Sequence, residues 1–330
     1  MPTAVVAIGG NSLIRAGEKG TIAEQMANVR RTADALVAMI AEGYDLVITH
    51  GNGPQVGAAL LRSERAGDEA YRLPLDVCVA ATQGEIGYLL QQALTERLAK
   101  AGLRRPVVSL LTQAVVSRDD PAMAHPTKPI GPFYSQRDAE ARRAQFGWAV
   151  VDDAARGWRR VVPSPEPTEI LEEGAIRTLV RSGALVIACG GGGIPVVREN
   201  GHYSGVDAVI DKDSVSVLLA LRLQADLLVI ATEVDRVYVN YRRPDERGLE
   251  CIDAPSLRRL YEAGQFPPGN MGPKIAASLR FVENGGARTV ITSYERLIDA
   301  IHGRAGTHVV PAPAARPGAQ QSAGTETPCG

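Results

Sequence analysis

The sequence predicts an α/β protein built on a mainly parallel sheet, with ligand-binding loops along one edge. Two observations carry this. Short apolar runs stop abruptly at glycine: Thr3–Ile8 before Gly9-Gly10-Asn11, Leu46–Thr49 before His50-Gly51-Asn52-Gly53, and Ala184–Cys189 before Gly190–Gly193. Segments of helical period separate them, so strand, glycine loop and helix repeat along the chain. Near-continuous apolar runs bounded by turn residues suit strands buried on both faces. In such a sheet the loops fall at the carboxyl ends of the strands, where open α/β proteins bind ligands.

Thr21 with Glu24 three residues later forms a capping-box signature. Ile22, Met26, Val29, Leu36 and Ile40 follow at helical spacing, and Gly43 supplies the stop. Leu75–Gly102 is a long helical pattern that Thr82-Gln83-Gly84 and Gly87-Tyr88 are expected to break. Pro106–Val116 is expected to be one buried strand. From about 117 to 165 the texture turns polar and rich in proline and glycine, with runs 148–152 and 158–162 reading as a hairpin. This stretch predicts a lid-like subdomain outside the sheet, since a long structureless loop is uncommon in a compact domain. A helix over 169–182, a strand over 226–231, a short helix, a helix opening at Lys274, a strand over 288–292 and a last helix complete the prediction. Residues 312–330 are low in complexity and are expected to be disordered.

At 330 residues with a formal charge of −1, the chain offers no global attraction to nucleic acid or anionic membrane, so any bound anion must be held by a few placed cations. Cys78, Cys189, Cys251 and Cys329 stand far apart, which fits a reducing cytoplasm better than a disulfide scaffold. The N-terminus lacks a signal-peptide pattern, and no apolar run approaches the length that spans a bilayer. There is no P-loop, no dinucleotide fingerprint, and no zincin or nucleophile-elbow motif. The five histidines show no metal-ligand spacing, and His50 is expected to orient its loop.

The chemistry gathers instead on glycine loops and oddly placed lysines. Lys212 lies at the junction of an apolar run and a helix start, flanked by Asp211 and Asp213. Burying an unpaired ammonium there is costly, and the two acids can offset it. Lys274 opens a helix, where a cation opposes the macrodipole unless an anion is held nearby. Lys128 sits in a rigid Pro-Thr-Lys-Pro setting. Glycine amides with isolated ammoniums are what phosphoryl transfer needs, because its transition state spreads negative charge over several oxygens.

Eight segments, in order, resemble the carbamate kinases of the amino-acid kinase superfamily: AIGGN (7–11), HGNGPQVG (50–57), Thr82-Gln83-Gly84 with Gly87-Tyr88, PTKPIGPFY (126–134), VVPSPEP (161–167), ACGGGGIPV (188–196), GVDAVIDKD (205–213) and MGPK (271–274). The resemblance covers about residues 3–310. It implies a three-layer αβα sandwich, the amino-acid kinase fold, with a small protruding subdomain over the site. It divides the chain into a carbamate and carbamoyl-phosphate lobe (1–220, including about 117–165) and a nucleotide-binding lobe (221–311). The implied reaction interconverts ATP plus carbamate with ADP plus carbamoyl phosphate, with Mg²⁺ carried by the nucleotide, in a cytoplasmic homodimer. ATP synthesis in arginine or other carbamoyl-phosphate-yielding catabolism is the implied direction.

By position, Lys212 and Lys274 would neutralise the transferring phosphoryl group, Asp211 would hold those lysines, and Lys128 would supply a third cation. Gly9, Gly10, Asn11, Gly51, Asn52 and Gly53 would cradle carbamate and the phosphoryl oxygens. Gly190, Gly191, Glu233, Asp235, Tyr238, Met271 and Lys274 would bind nucleotide. The chain departs from the family at Thr232-Glu233-Val234-Asp235, where TDVD is usual, at Asn270, where serine is frequent, and in its tail. Two alternatives stand beside this reading: a related small-acid kinase, and a nucleotide or metabolite sensor without turnover.

Overall fold

The computed structural model describes residues 1–10, 13–15, 17–67, 69–153, 157–267 and 271–312. Eight strands form the central sheet in the order Cys251–Asp253, Thr307–Val310, Thr289–Ser293, Leu227–Thr232, Thr3–Ile8, Asp45–His50, Leu185–Ile187, Val107–Ser109. Neighbouring strands are parallel except where Thr307–Val310 pairs antiparallel with Thr289–Ser293. The four strands from residues before 220 lie on one side and the four from later residues on the other, so the seam falls between Thr3–Ile8 and Leu227–Thr232. Strand order reverses there, which is where an open α/β sheet leaves a crevice beyond its carboxyl ends.

Both faces of the sheet are covered, which makes three layers. Side chains alternate along each strand. Val5, Val47, Val186, Leu228 and Ile230 join one buried cluster with residues of the helices Glu173–Arg181, Lys212–Leu223, Ala254–Glu262 and Met271–Glu283. Val6, Ile8, Leu46, Ile48 and Val229 join the other, with Ile22–Ala41, Leu75–Lys100 and Leu297–Ile301. The capping box at Thr21 and Glu24 is formed as its residues predict.

Several elements differ from the sequence reading. Leu75–Lys100 is one uninterrupted helix. Gly87 does not break it but lets it approach the sheet, since a Cβ there would lie 2.1 Å from Ser109 Oγ. The run 106–116 is two strands: Val107–Ser109 in the central sheet and Gln113–Val115 in a four-stranded sheet with Ile194–Glu199, His202–Gly205 and Glu169–Ile170. The helix expected over 169–182 spans only Glu173–Arg181, and the last helix is followed by a further strand, Thr307–Val310.

The excursion holds a three-stranded sheet. Its hairpin Ala149–Asp153 with Gly157–Val162 is joined by Lys128–Tyr134 on the far side of Gly157–Val162. Pro129 and Pro132 are tolerated because that strand is an edge, pairing on one side only. Helix Gln136–Phe146 packs on this sheet, with Arg142 stacked over both Tyr134 and Trp148. The expected tail begins at 312, and residues 313–330 lie outside those described.

Candidate active site

Two helices bring the lysines to the seam. Lys212 is the first residue of Lys212–Leu223, which is capped by Asp211: its Oδ1 accepts from the Asp213 amide at 2.8 Å. A buried hydroxyl pair, Thr49 Oγ1 and Ser216 Oγ at 2.6 Å, ties that helix to strand Asp45–His50. Lys274 lies in the first turn of Met271–Glu283. Asp213, only 4% exposed, stands between them and makes an ion pair with each ammonium, Oδ1 to Lys212 Nζ and Oδ2 to Lys274 Nζ at 3.1 Å. Burial alone would push the Asp213 carboxyl up, but Lys212 and Lys274 together hold it well below the ordinary carboxylate range. For Lys212, burial lowers the ammonium, Asp213 opposes that, and neighbouring Lys274 adds to it.

The expectation that Asp211 holds Lys212 and Lys274 is therefore corrected. Asp211 Oδ2 accepts from Lys128 Nζ at 2.5 Å, so it ties the protruding subdomain to the helix start, and Asp213 grips the other two lysines.

Two cavities open here. The larger, about 760 Å³, has Gly9, Gly10, Lys212, Thr232, Glu233 and Lys274 in its wall. The smaller, about 280 Å³, is bounded by Gly10, Gly51, Asn52, Gly53 and Gly191 together with all three lysines. Gly10, Lys212 and Lys274 belong to both walls. The arrangement provides a site for two anionic ligands that meet between two cations.

The sequence profile of the amino acid kinase family matches residues 2–293. The chain belongs to the amino acid kinase family. It is 49% identical over 314 residues to the carbamate kinase of Thermococcus kodakarensis, covering 94% of this chain and 99% of the relative. It is 50% identical to the carbamate kinase-like protein YahI of Escherichia coli, covering 93% and 98%. A solved carbamate kinase from Giardia lamblia bound to AMP-PNP superposes with a TM-score of 0.89 at 43% identity, covering 94% and 99%. The fold expected from the sequence, an αβα sandwich with a mainly parallel sheet, is the fold of this family member.

The glycines of this family member act in different ways. The Gly9 amide donates to Tyr294 Oη at 2.9 Å and the Gly51 amide to the Ile8 carbonyl at 2.9 Å, so both amides are satisfied within the protein. Gly51 instead allows close approach, a Cβ there falling 3.1 Å from the Gly10 nitrogen. Asn52 is buried and donates to Thr82 Oγ1 at 2.9 Å. Asn11 lies outside the described residues.

The glycine run mostly serves packing. A Cβ on Gly190 would strike His50, and one on Gly191 would strike Asn52, at φ +67. Gly191 borders the smaller cavity, whereas Gly190 lies behind it, its carbonyl accepting from Gln83 Nε2 at 2.8 Å. Neither stands in the wall of the larger cavity. Of the other residues expected to bind nucleotide, Glu233 and Lys274 are in that wall, and Asp235, Tyr238 and Met271 are not. Tyr238 Oη donates to Asp235 Oδ1 at 3.0 Å.

His50 is fully buried, with Nδ1 3.0 Å from the Gly51 carbonyl, and burial lowers its pKa to about 4. It is neutral at physiological pH and ends strand Asp45–His50, its ring against the carbonyl of the first residue of the loop it was expected to orient. Sequence reasoning missed Tyr294, Arg15 and Arg31 in the larger cavity's wall, and it placed Asp213 beside Lys212 without its bond to Lys274. The only signal for Asp213 was its adjacency to Lys212. For Tyr294 no local signal exists.

Among the described residues, no three His, Cys, Asp or Glu side chains stand close enough together to hold a metal ion by themselves. No helix among them is long and apolar enough to cross a membrane.

Proposed function

We propose that this site transfers a phosphoryl group reversibly between ATP and carbamate, giving ADP and carbamoyl phosphate. The observation that carries the reading is the sharing of Gly10, Lys212 and Lys274 by both cavities. A nucleotide's terminal phosphate lying in the larger cavity and an acceptor in the smaller one would meet between the two ammoniums. The smaller cavity, at about 280 Å³, suits an acceptor of very few heavy atoms, and among the described residues its wall contains lysines but no arginine to grip a larger acid. The similarity to carbamate kinases supports the same acceptor.

In the forward direction a carbamate oxygen forms a bond to the γ-phosphorus as the bond to the β–γ bridging oxygen breaks. ADP leaves with that electron pair, and no proton moves. Carbamate is already anionic at neutral pH, so no general base is required, consistent with a buried neutral His50. Lys212 and Lys274 cancel charge on the transferring group, Lys128 approaches from the subdomain, and Asp213 keeps the first two aimed. Running toward ATP follows from carbamoyl phosphate being a mixed anhydride and so the stronger phosphoryl donor.

Mg²⁺ would arrive with the nucleotide, taking its ligands from phosphates and water, with Glu233 and Glu295 the acidic side chains in the larger cavity's wall. It supplies charge neutralisation on the phosphates. A homodimer in the cytoplasm belongs to the same reading. Val77 and Tyr88, exposed three turns apart on one face of Leu75–Lys100, support an assembly surface there.

The test is ATP formation from ADP, Mg²⁺ and fresh carbamoyl phosphate, with Lys212→Ala as the blank. ATP made by the wild type and lost in the variant is the expected result. Bound ADP without ATP would overturn the acceptor and send the search to other small acids.

A further inference from the structure

Tyr294 opens a short turn after strand Thr289–Ser293, two strands away from Thr3–Ile8 in the sheet. Two strand spacings are about 9.5 Å. The tyrosine side chain crosses that gap over the end of Leu227–Thr232, and its hydroxyl accepts the Gly9 amide at 2.9 Å, joining residues 285 apart in sequence. The next residue, Glu295, makes an exposed ion pair with Arg15 at 3.8 Å, so the same turn touches the same glycine loop twice. Within that loop the Leu13 and Ile14 amides both donate to the Gly10 carbonyl, and Leu13 is fully buried. The loop is thus pinned on both sides of Gly10, the glycine that lines both cavities.

We infer that Tyr294 is a positioning residue for phosphoryl transfer: its hydroxyl takes up the Gly9 amide and thereby fixes Gly10 between the two cavities. The inference rests on the phosphoryl-transfer reading above. A phenylalanine at this position would fill the same space and leave the Gly9 amide without its partner, freeing the loop to relax.

Tyr294→Phe is the test, because it removes only the hydroxyl. The expected result is a fall in kcat for ATP formation of about tenfold, with the ADP dissociation constant changed by less than about threefold. The melting temperature should change little, and peptides spanning residues 4–15 should exchange amide hydrogens faster than in the wild type. Wild-type kcat with wild-type exchange would overturn the inference. So would a loss of kcat, ADP affinity and melting temperature together, which would make Tyr294 a general structural residue. If the wild type makes no ATP, the kinase reading fails, and the exchange comparison alone decides whether the hydroxyl holds the loop.

Discussion

Asp213 joins Lys212 and Lys274 through its two carboxylate oxygens, across 61 residues of sequence in the second case. One buried carboxylate thereby fixes the separation of the two cations that the reaction needs. Asp213→Asn leaves two ammoniums facing one another with no counter-charge between them. Removing one partner of a buried charge set costs about 3–5 kcal/mol, so the melting temperature should drop along with turnover. Inorganic phosphate should raise the variant's melting temperature more than the wild type's. An Asn variant with wild-type stability would remove Asp213 from this role.

Lys212→Ala is expected to behave differently, because Asp213 keeps Lys274 as a partner. The fold should persist while turnover falls by about 10²–10³, the effect of deleting one aimed charge-stabilising group. Turnover within tenfold of the wild type, read in the ATP-formation assay, would show that Lys212 does not contact the transferring group.

Lys128→Ala should slow turnover with little change in melting temperature. Its pair with Asp211 is partly exposed, with side chains 38% and 26% accessible, and such pairs contribute about 1 kcal/mol or less. Asp211 keeps its capping bond to the Asp213 amide after the change. A steep loss of thermal stability would mean that the pair anchors the whole subdomain.

Gly57→Ala addresses the seat of that subdomain. A Cβ on Gly57 would fall 2.6 Å from the Gly131 Cα, backbone against backbone, so strand Lys128–Tyr134 must move away from helix Gly53–Arg65. Overpacking of this kind costs about 1–3 kcal/mol. Because Lys128 rides on that strand, turnover should fall as well. Unchanged kinetics at a lowered melting temperature would separate the seat from the chemistry.

His50 makes the protein sensitive to acid. Its pKa is lowered by burial from 6.5 to about 4, so below pH 6.5 the unfolded chain binds a proton that the folded chain refuses. Stability therefore falls as pH drops from about 6.5 to 4, by roughly 3 kcal/mol in total. His50→Asn, though less stable at pH 7, should lose less melting temperature between pH 7 and pH 5 than the wild type. An equal loss in both proteins would assign the acid sensitivity elsewhere.

Much of this was legible in local pattern. Thr3–Ile8 and Asp45–His50 are strands, and the Thr21 cap starts its helix, because period, apolar run and capping bond are short-range features. Lys212 stood out because an ammonium at the end of an apolar run is costly to bury, and Lys274 because a cation at a helix start opposes the backbone dipole. Gly87 misled for the opposite reason: glycine reads locally as a helix breaker, whereas its purpose is contact with Ser109, which belongs to another element. The strand Thr307–Val310 was missed because the sheet, rather than a strong local pattern, recruits it.

Local pattern was enough for a mainly parallel sheet, glycine-bounded loops and three lysines at one edge, since each follows from residues within a few positions of one another, whereas the three layers came from the family resemblance. It took the packing of distant elements to show that Asp213 rather than Asp211 grips Lys212 and Lys274, that Asp211 answers Lys128, and that Tyr294 reaches Gly9. A carboxylate beside a lysine in sequence can point either way at a helix start, and the packing of Lys212–Leu223 against Met271–Glu283 chooses which way it points.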